Sequence, residues 1–290
     1  MPYPTPPNIC DVNFRFVFEY EPFEDLAQFF SWQTIRRLRL EYDLQNTLAG
    51  ILKALQLGTN LRSLVYFGDL WVESVSCRHY ESSPGRVKEE DLVEDLVVSD
   101  IASLTIDMTG PQGFFDVVHD FFRAFFERSA STLTVLNLSG MELSESEVIS
   151  ALQLTPSVRH FTLSEVGASS YNTAKNGLLS QTITKYLLKR LHGNTSLDDA
   201  YGTQHPILSK LTFIRLEAQF RFDADEEFVA FVQSRWVMQE SDMLREVRRS
   251  RTVELRVQDR KLSPEIYEPL KWVESDGMMI SVMNDGERVI

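Results

Sequence analysis

The sequence has few cysteines and no long apolar run. Its 290 residues include two cysteines, Cys10 and Cys77, which are too few for a disulfide framework and fit a reducing, intracellular compartment. No apolar stretch approaches the roughly 18 residues of a membrane span. The first residues also lack the basic and apolar regions of a secretory signal. The sequence therefore predicts an intracellular protein of cytoplasm or nucleus that is neither secreted nor membrane-bound.

Basic residues are also under-represented. The chain has 29 Lys and Arg against 42 Asp and Glu, giving a formal net charge of −13. Binding to a phosphate backbone needs clustered Lys and Arg, so a nucleic-acid partner is not predicted. The acidic residues are dispersed and form no long acidic tail, which disfavours an acidic chaperone-like repeat protein.

Motifs of catalysis and metal binding are missing as well. The five histidines show no ligand spacing, and neither Gly-x-Ser-x-Gly nor a phosphate-binding glycine loop occurs. Cys77-Arg78-His79 is the nearest Cys–His pair, but sequence neighbours rarely act as nucleophile and base. Asp198-Asp199 and Glu226-Glu227 are interpreted as solvated or capping acids. We therefore predict no catalytic residue, no cofactor and no metal. The alternative, an enzyme grafted on this scaffold, would require a deep pocket with converging carboxylates or histidines.

What is present is an internal repeat, clearest between residues 128 and 166. Two copies of a leucine-rich phrase lie 25 residues apart, counted from Leu136 to Phe161, within the roughly 20–29 residues of a leucine-rich repeat. The apolar positions are Leu133, Leu136 and Leu138, then Val158, Phe161 and Leu163. Between the copies, Ser144 and Glu147 have the spacing of a capping box, which predicts a helix ending before Pro156.

The strand phrase of this repeat recurs along the chain. Further copies begin at Ile35, Leu61, Ile101 and Leu211, and strands are also predicted at 252–257 and 279–282. Helical spacing of apolar residues predicts helices over 44–55, 114–126, 183–191, 226–236 and 263–275. Asp223 or Asp225 is predicted as the N-cap of the fourth of these helices.

Each strand–helix unit leaves one apolar face bare, and stacking of the next unit covers it. We therefore predict an α/β fold, an irregular leucine-rich-repeat solenoid of roughly seven or eight units. A curved parallel sheet would form its concave face and helices its convex face. Residues 1–28 are predicted as an extended lead-in and residues 29–290 as the solenoid, with insertions at about 73–100 and 165–207.

Three phrases of the chain resemble the leucine-rich-repeat region of basidiomycete (fungal) F-box-domain proteins. They are 125–163, then 208–216 with Ser234-Arg235-Trp236, and 267–282. The resemblance implies a non-enzymatic protein-interaction module, the substrate-recognition part of a ubiquitin-ligase receptor.

In such proteins an N-terminal F-box docks a Skp-type adaptor. No F-box-like helix cluster is found in the first forty residues, and Leu262-Ser-Pro-Glu-Ile266 lies at the opposite end. A Skp-type adaptor is thus expected only if an upstream F-box exists. The alternative is a stand-alone leucine-rich-repeat scaffold with no ubiquitin-ligase role.

The candidate binding site is a surface. In a solenoid strand, residues flanking the repeat leucines point outward onto the concave sheet. Their mixture of Arg, aromatic and small polar groups suits a protein partner. The predicted protein-binding residues are Arg37, Arg39, Glu41, Val65, Phe67, Thr105, Asp107, Val135, Asn137, His160, Thr162, Phe213, Arg215 and Glu217.

Overall fold

A computed structural model describes residues 10–16, 32–42, 60–68, 101–107, 125–127, 131–141, 143–165, 181–192, 207–219, 222–237 and 250–290. The chain divides into two compact units, Met1–Leu133 and Thr134–Ile290. Each unit is built on parallel strands, so the predicted α/β class is confirmed.

The described part of the first unit contains four strands that pair in chain order. They are β1 (Asp11–Phe16), β2 (Arg37–Tyr42), β3 (Ser63–Gly68) and β4 (Ser103–Asp107). All three pairings are parallel. β1 lies within residues 1–28, the predicted extended lead-in, and it pairs in parallel with β2. A short 3₁₀ helix, Trp32–Thr34, precedes β2.

The second unit has six strands in its described residues, again paired in chain order. They are β5 (Val135–Ser139), β6 (His160–Ser164), β7 (Phe213–Ala218), β8 (Thr252–Val257), β9 (Met279–Asn284) and β10 (Glu287–Arg288). β5 to β9 are parallel, and β10 returns antiparallel to β9 through a tight turn. Asp285 and Gly286 both have positive φ in this turn, as a two-residue hairpin of this hand requires.

Helices connect the strands of the second unit. They are α1 (Glu145–Leu154), α2 (Lys185–Leu191), α3 (Asp225–Trp236), α4 (Pro264–Tyr267) and α5 (Lys271–Ser275), with a 3₁₀ turn at Glu268–Leu270. α2 packs against both α1 and α3, and α3 also contacts α4.

The repeat leucines form the core, as the sequence predicts. Leu133, Leu136 and Leu138 are buried, and so are Val158, Phe161 and Leu163 in the next copy. Within β4, β5 and β7, buried positions alternate with partly exposed ones, because successive side chains of a strand point to opposite faces. The apolar period of the sequence thus fixes which strand face meets the helices.

The predicted capping box of α1 is confirmed. The Ser144 hydroxyl accepts from the Glu147 backbone N–H at 3.3 Å, and the Glu147 carboxylate accepts from the Ser144 backbone N–H at 2.6 Å. Two of the N–H groups that lack partners inside the helix are thereby satisfied.

A repeated backbone contact starts the strands in both units. The carbonyl of the residue before one strand accepts from two consecutive N–H groups at the start of the next strand. For example, the Arg36 carbonyl accepts from Arg62 at 2.8 Å and Ser63 at 3.1 Å, and the Arg159 carbonyl accepts from Thr212 at 2.8 Å and Phe213 at 3.0 Å. Three such carbonyls occur in the described residues of each unit, so the repeat is visible in the main chain as well as in the leucines.

Two predictions about α3 are wrong in detail. Its N-cap is Ala224, which makes no side-chain bond, whereas Asp225 is the first helical residue and is buried. Trp236, predicted on the buried side, is partly exposed, while its neighbour Arg235 is 1% exposed. In both cases the residue that is buried is charged, Asp225 or Arg235, and its hydrogen-bond partners lie far away in sequence.

Other predictions fall outside the described residues. The helix over 44–55, the insertion at 73–100 and residues 114–124 of the Phe-rich helix belong to this group, whereas 125–127 is helical. Among the helices in the described ranges, none has both the length and the apolar character needed to cross a bilayer.

Candidate functional site

The candidate site is the outward strand face of each unit, which we define as the side chains that lie between the buried positions of β2 to β4 and of β5 to β9. The parallel register places them in rows across neighbouring strands. In the second unit, Val135, His160, Phe213, Thr252 and Met279 form one row. Asn137, Thr162, Arg215, Glu254 and Ser281 form the row beside it.

An aromatic and cationic cluster occupies the middle of these rows. The rings of His160 and Phe213 lie 5.8 Å apart between centroids, and the Arg215 guanidinium carbon lies 5.8 Å from the Phe213 centroid. The cation–π geometry holds Arg215 against the ring. His160 is exposed and the other two are partly exposed, so the cluster presents two tilted rings, with an interplanar angle of 41°, beside a charged group.

The charges next to this cluster form a linked network. Arg215 Nε donates to Glu254 Oε2 at 2.7 Å, and this carboxylate raises the pKa of the Arg215 guanidinium. Arg256 lies 3.5 Å from carboxylate oxygens of both Glu254 and Glu217. Two cations and two anions alternate across β7 and β8, which makes this part of the face neutral and polar.

The outward face of the first unit carries two arginines on one strand. Arg37 and Arg39 are both exposed on β2. Arg37 makes a bidentate contact with Asp11 of β1, with Nε donating to Oδ1 at 2.6 Å and Nη2 donating to Oδ2. The guanidinium holds the pKa of Asp11 below its usual value.

The structure places most of the predicted site residues at partly or fully exposed strand positions. It brings together His160, Phe213 and Arg215, and it links Glu217 to them through Arg256 and Glu254. The side chains of Glu41 and Phe67 lie outside the described residues. The predicted residues at partly or fully exposed positions are Arg37, Arg39, Val65, Thr105, Asp107, Val135, Asn137, His160, Thr162, Phe213, Arg215 and Glu217.

The sequence prediction did not include the outward residues of β8 and β9. Glu254 and Arg256 complete the ion network, and Met279 is 64% exposed at the end of the aromatic row. The alternation of Thr252–Val257 is a sufficient signal, because it marks outward positions in the same way as in the preceding strands.

The titratable side chains below the surface of the second unit make structural hydrogen bonds. Asp225 accepts from the Tyr267 hydroxyl and from Arg260, and burial raises the pKa of Tyr267. Burial also raises the pKa of the Glu165 carboxyl, whose oxygen accepts from the N–H groups of Thr182 at 2.7 Å and Ile183 at 2.6 Å. In the part of the chain that the structure describes, no three His, Cys, Asp or Glu side chains converge as metal ligands.

The half-buried His192 gives the second unit an expected acid sensitivity. Its Nε2 has no partner among the described residues, and its ring lies 6.4 Å from that of Phe231. Burial lowers the pKa of His192, and the positive charges of Arg235 and Lys189 act in the same direction. The unfolded chain then binds more protons than the folded one, so stability falls as pH drops below the ordinary histidine value of about 6.5.

We expect His192→Phe to flatten the dependence of Tm on pH between about 7.5 and 5.5. Differential scanning fluorimetry at closely spaced pH values measures it. His160→Phe, which removes an exposed histidine, is the matched control and should keep the wild-type slope. An unchanged slope in His192→Phe would contradict the assignment.

Comparison with known proteins does not identify a family for this chain. The outward face, the repeated carbonyl contact and the leucine spacing are therefore the observations on which a function can be based. No protein-family model matches the chain, and no curated protein matches it either.

Proposed function

We propose that this chain is a non-enzymatic, protein-binding solenoid of the leucine-rich-repeat type, and that the outward strand face is its binding surface. The observation that supports this most is the cluster of His160, Phe213 and Arg215 beside the Arg256–Glu217–Glu254 network. Aromatic and Arg side chains dominate the binding energy of protein interfaces. A mixed, neutral face also suits a protein better than a polyanion.

The face is suited to rigid display. In each unit, three carbonyls each accept from two N–H groups at the start of the next strand, and buried apolar residues fix the opposite side. Side chains held on such strands lose little freedom when a partner binds, so less of the interaction energy is lost to ordering.

Removal of the aromatic cluster tests the proposal. We expect His160→Ser with Phe213→Ser to weaken partner binding about thirtyfold, as loss of an interface hot spot does. Tyr186→Ser with Trp272→Ser is the matched control, because these exposed aromatics lie on helices α2 and α5. Quantitative affinity purification from the native host, followed by titration of the recovered partner, measures the effect.

A second pair of substitutions, in the first unit, extends this experiment. Arg37→Glu with Arg39→Glu should abolish capture if the partner reaches β2, while Tm stays nearly unchanged, because both side chains are exposed. Capture that survives in both folded double variants, and is lost only with the helix variant, would place the binding surface elsewhere.

The role in ubiquitin transfer depends on the resemblance to fungal F-box proteins alone. A ligase substrate receptor should co-purify with a Skp-type adaptor through an upstream F-box. A stand-alone scaffold should recover the same partners from cells without the adaptor. Mass spectrometry of the native complex distinguishes these alternatives.

A further inference from the structure

A cavity in the first unit lies apart from the outward strand face. It has a volume of about 430 Å³ and is lined by Cys10, Gln33, Thr34, Arg36, Asn60 and Arg62. Cys10, Arg36 and Arg62 are equivalent positions of the repeat, since each directly precedes a strand. The cavity therefore opens at the start of β1, β2 and β3.

Two arginines come together there because of the parallel register. Neighbouring strands lie about 4.8 Å apart, and Arg36 and Arg62 occupy the same position on adjacent strands. Their backbones are fixed, since the Arg36 carbonyl accepts from Arg62 N–H at 2.8 Å and the Arg62 carbonyl accepts from Ala102 N–H at 2.9 Å. Both residues are exposed.

Packing and a hydrogen bond hold the cavity wall in place. Trp32 and Ile35 are buried at 5% and 1% exposure, which anchors the 3₁₀ helix that carries Gln33 and Thr34. Asn60 Nδ2 donates to the Gln33 carbonyl at 2.7 Å and ties the other wall to this helix.

The lining has one sign of charge. Among the described residues that line it, two are arginines and none is acidic, although the whole chain carries a net charge of −13. Asp11, which follows Cys10, is bonded to Arg37. Positive charges on neighbouring strands both attract an anion that lies within reach of the two side chains.

We propose that this cavity binds a phosphate group as a dianion, with Arg36 and Arg62 as paired bidentate donors. Guanidinium forks match the spacing of phosphate oxygens. The amide of Gln33 and the hydroxyl of Thr34 supply further donors from the wall. The volume exceeds that of inorganic phosphate and admits a phosphorylated side chain or small metabolite of ordinary pocket size.

Titration of the full chain with inorganic phosphate tests the site. Calorimetry at constant ionic strength should show saturable binding with a Kd at or below about 5 mM. Arg36→Gln with Arg62→Gln should weaken binding at least about tenfold. Arg159→Gln with Arg251→Gln is the matched control, because these exposed residues hold the equivalent pre-strand position in the second unit and lie outside the cavity lining. It should bind within about twofold of wild type.

Two results would overturn the proposal: no saturable binding by wild type, or equal affinity in the two double variants. If the glutamine pair does not fold, Arg36→Lys with Arg62→Lys replaces it. That variant keeps the charge and loses the fork, so binding as tight as wild type would also overturn the proposal.

A second titration distinguishes a phosphorylated protein from a small phosphate compound as the ligand. A short peptide with one phosphoserine that binds at least about tenfold tighter than inorganic phosphate assigns the site to a modified protein. Equal affinity for the two assigns it to a small phosphate compound. The same peptide with unmodified serine should not compete.

Discussion

Replacement of Arg235 by methionine should lower the free energy of unfolding of the second unit by about 3–5 kcal/mol. The buried guanidinium donates to three backbone carbonyls, those of Leu191 at 2.8 Å, Leu208 at 3.0 Å and Ile207 at 2.7 Å. Methionine is shorter and donates nothing, so three carbonyls lose a buried donor; the Leu208 carbonyl still accepts from the Leu211 N–H at 3.0 Å. Burial lowers the pKa of Arg235 to about 10, which leaves it charged at neutral pH.

Arg235 also holds a strained turn. Leu208 has φ of +57°, a left-handed conformation that a bulky residue adopts only when its surroundings impose it. The same side chain binds the last residue of α2, so one guanidinium joins α3, the end of α2 and the approach to β7. Loss of Arg235 should therefore release the turn and the helix end together.

Chemical denaturation followed by far-UV circular dichroism measures the change. Arg251→Met is the matched control, since Arg251 is exposed and its loss should shift stability by less than about 0.5 kcal/mol. Arg235→Lys should fall between wild type and Arg235→Met, because an ammonium keeps the charge but cannot reach three carbonyls in a fixed fork. A loss below about 1 kcal/mol in Arg235→Met would contradict the assigned role.

The second large effect is expected at Asp225. Its carboxylate accepts from Tyr267 and Arg260, and Arg260 also donates to the Phe222 carbonyl. Asp225→Ala leaves the buried Tyr267 hydroxyl without this acceptor and the partly buried Arg260 guanidinium without its counter-charge, which should cost about 3–5 kcal/mol of stability. The three side chains join α3 to the segment after β8, so this loss should loosen α4 from α3.

Tyr267→Phe is the informative comparison. It removes one hydrogen bond and leaves Asp225 paired with Arg260, so we expect a loss of only about 1–2 kcal/mol. In a double-mutant cycle the combined loss should be smaller than the two single losses added, because both variants break the same contact. Additive losses would show that Asp225 and Tyr267 do not act as a unit.

The local features of the fold were predictable from sequence. The leucine period identified the buried strand face, and the spacing of Ser144 and Glu147 identified the start of α1. Both depend on contacts within a few residues, where side-chain direction follows from the strand or helix itself.

Long-range polar contacts were not predictable in the same way. Asp225 fits the composition of an N-cap, but its partner Tyr267 is 42 residues away. Arg235 reads as a solvated helix residue, and its acceptors lie 27 to 44 residues away. Only the packing of distant elements shows that these charges are buried, and a single sequence carries no record of it.

The candidate surface lies between these two cases. Alternation placed His160, Phe213 and Arg215 on one face, and the structure adds their contact. The cavity at Arg36 and Arg62 was not predicted, because the pairing register of distant segments decides which residues become neighbours. The two arginines are 26 positions apart and adjacent only across the strands.

The shared carbonyl at each strand start has a consequence for how such a chain can change length in evolution. The start of one strand follows that of its predecessor after 25 residues from Val135 to His160, but after 53 from His160 to Phe213. Even so, the same double contact begins both strands. Because each strand is positioned by its neighbour's main chain, an insertion in a connecting segment leaves the rows aligned. Connections can therefore acquire new sequence while the displayed face stays the same.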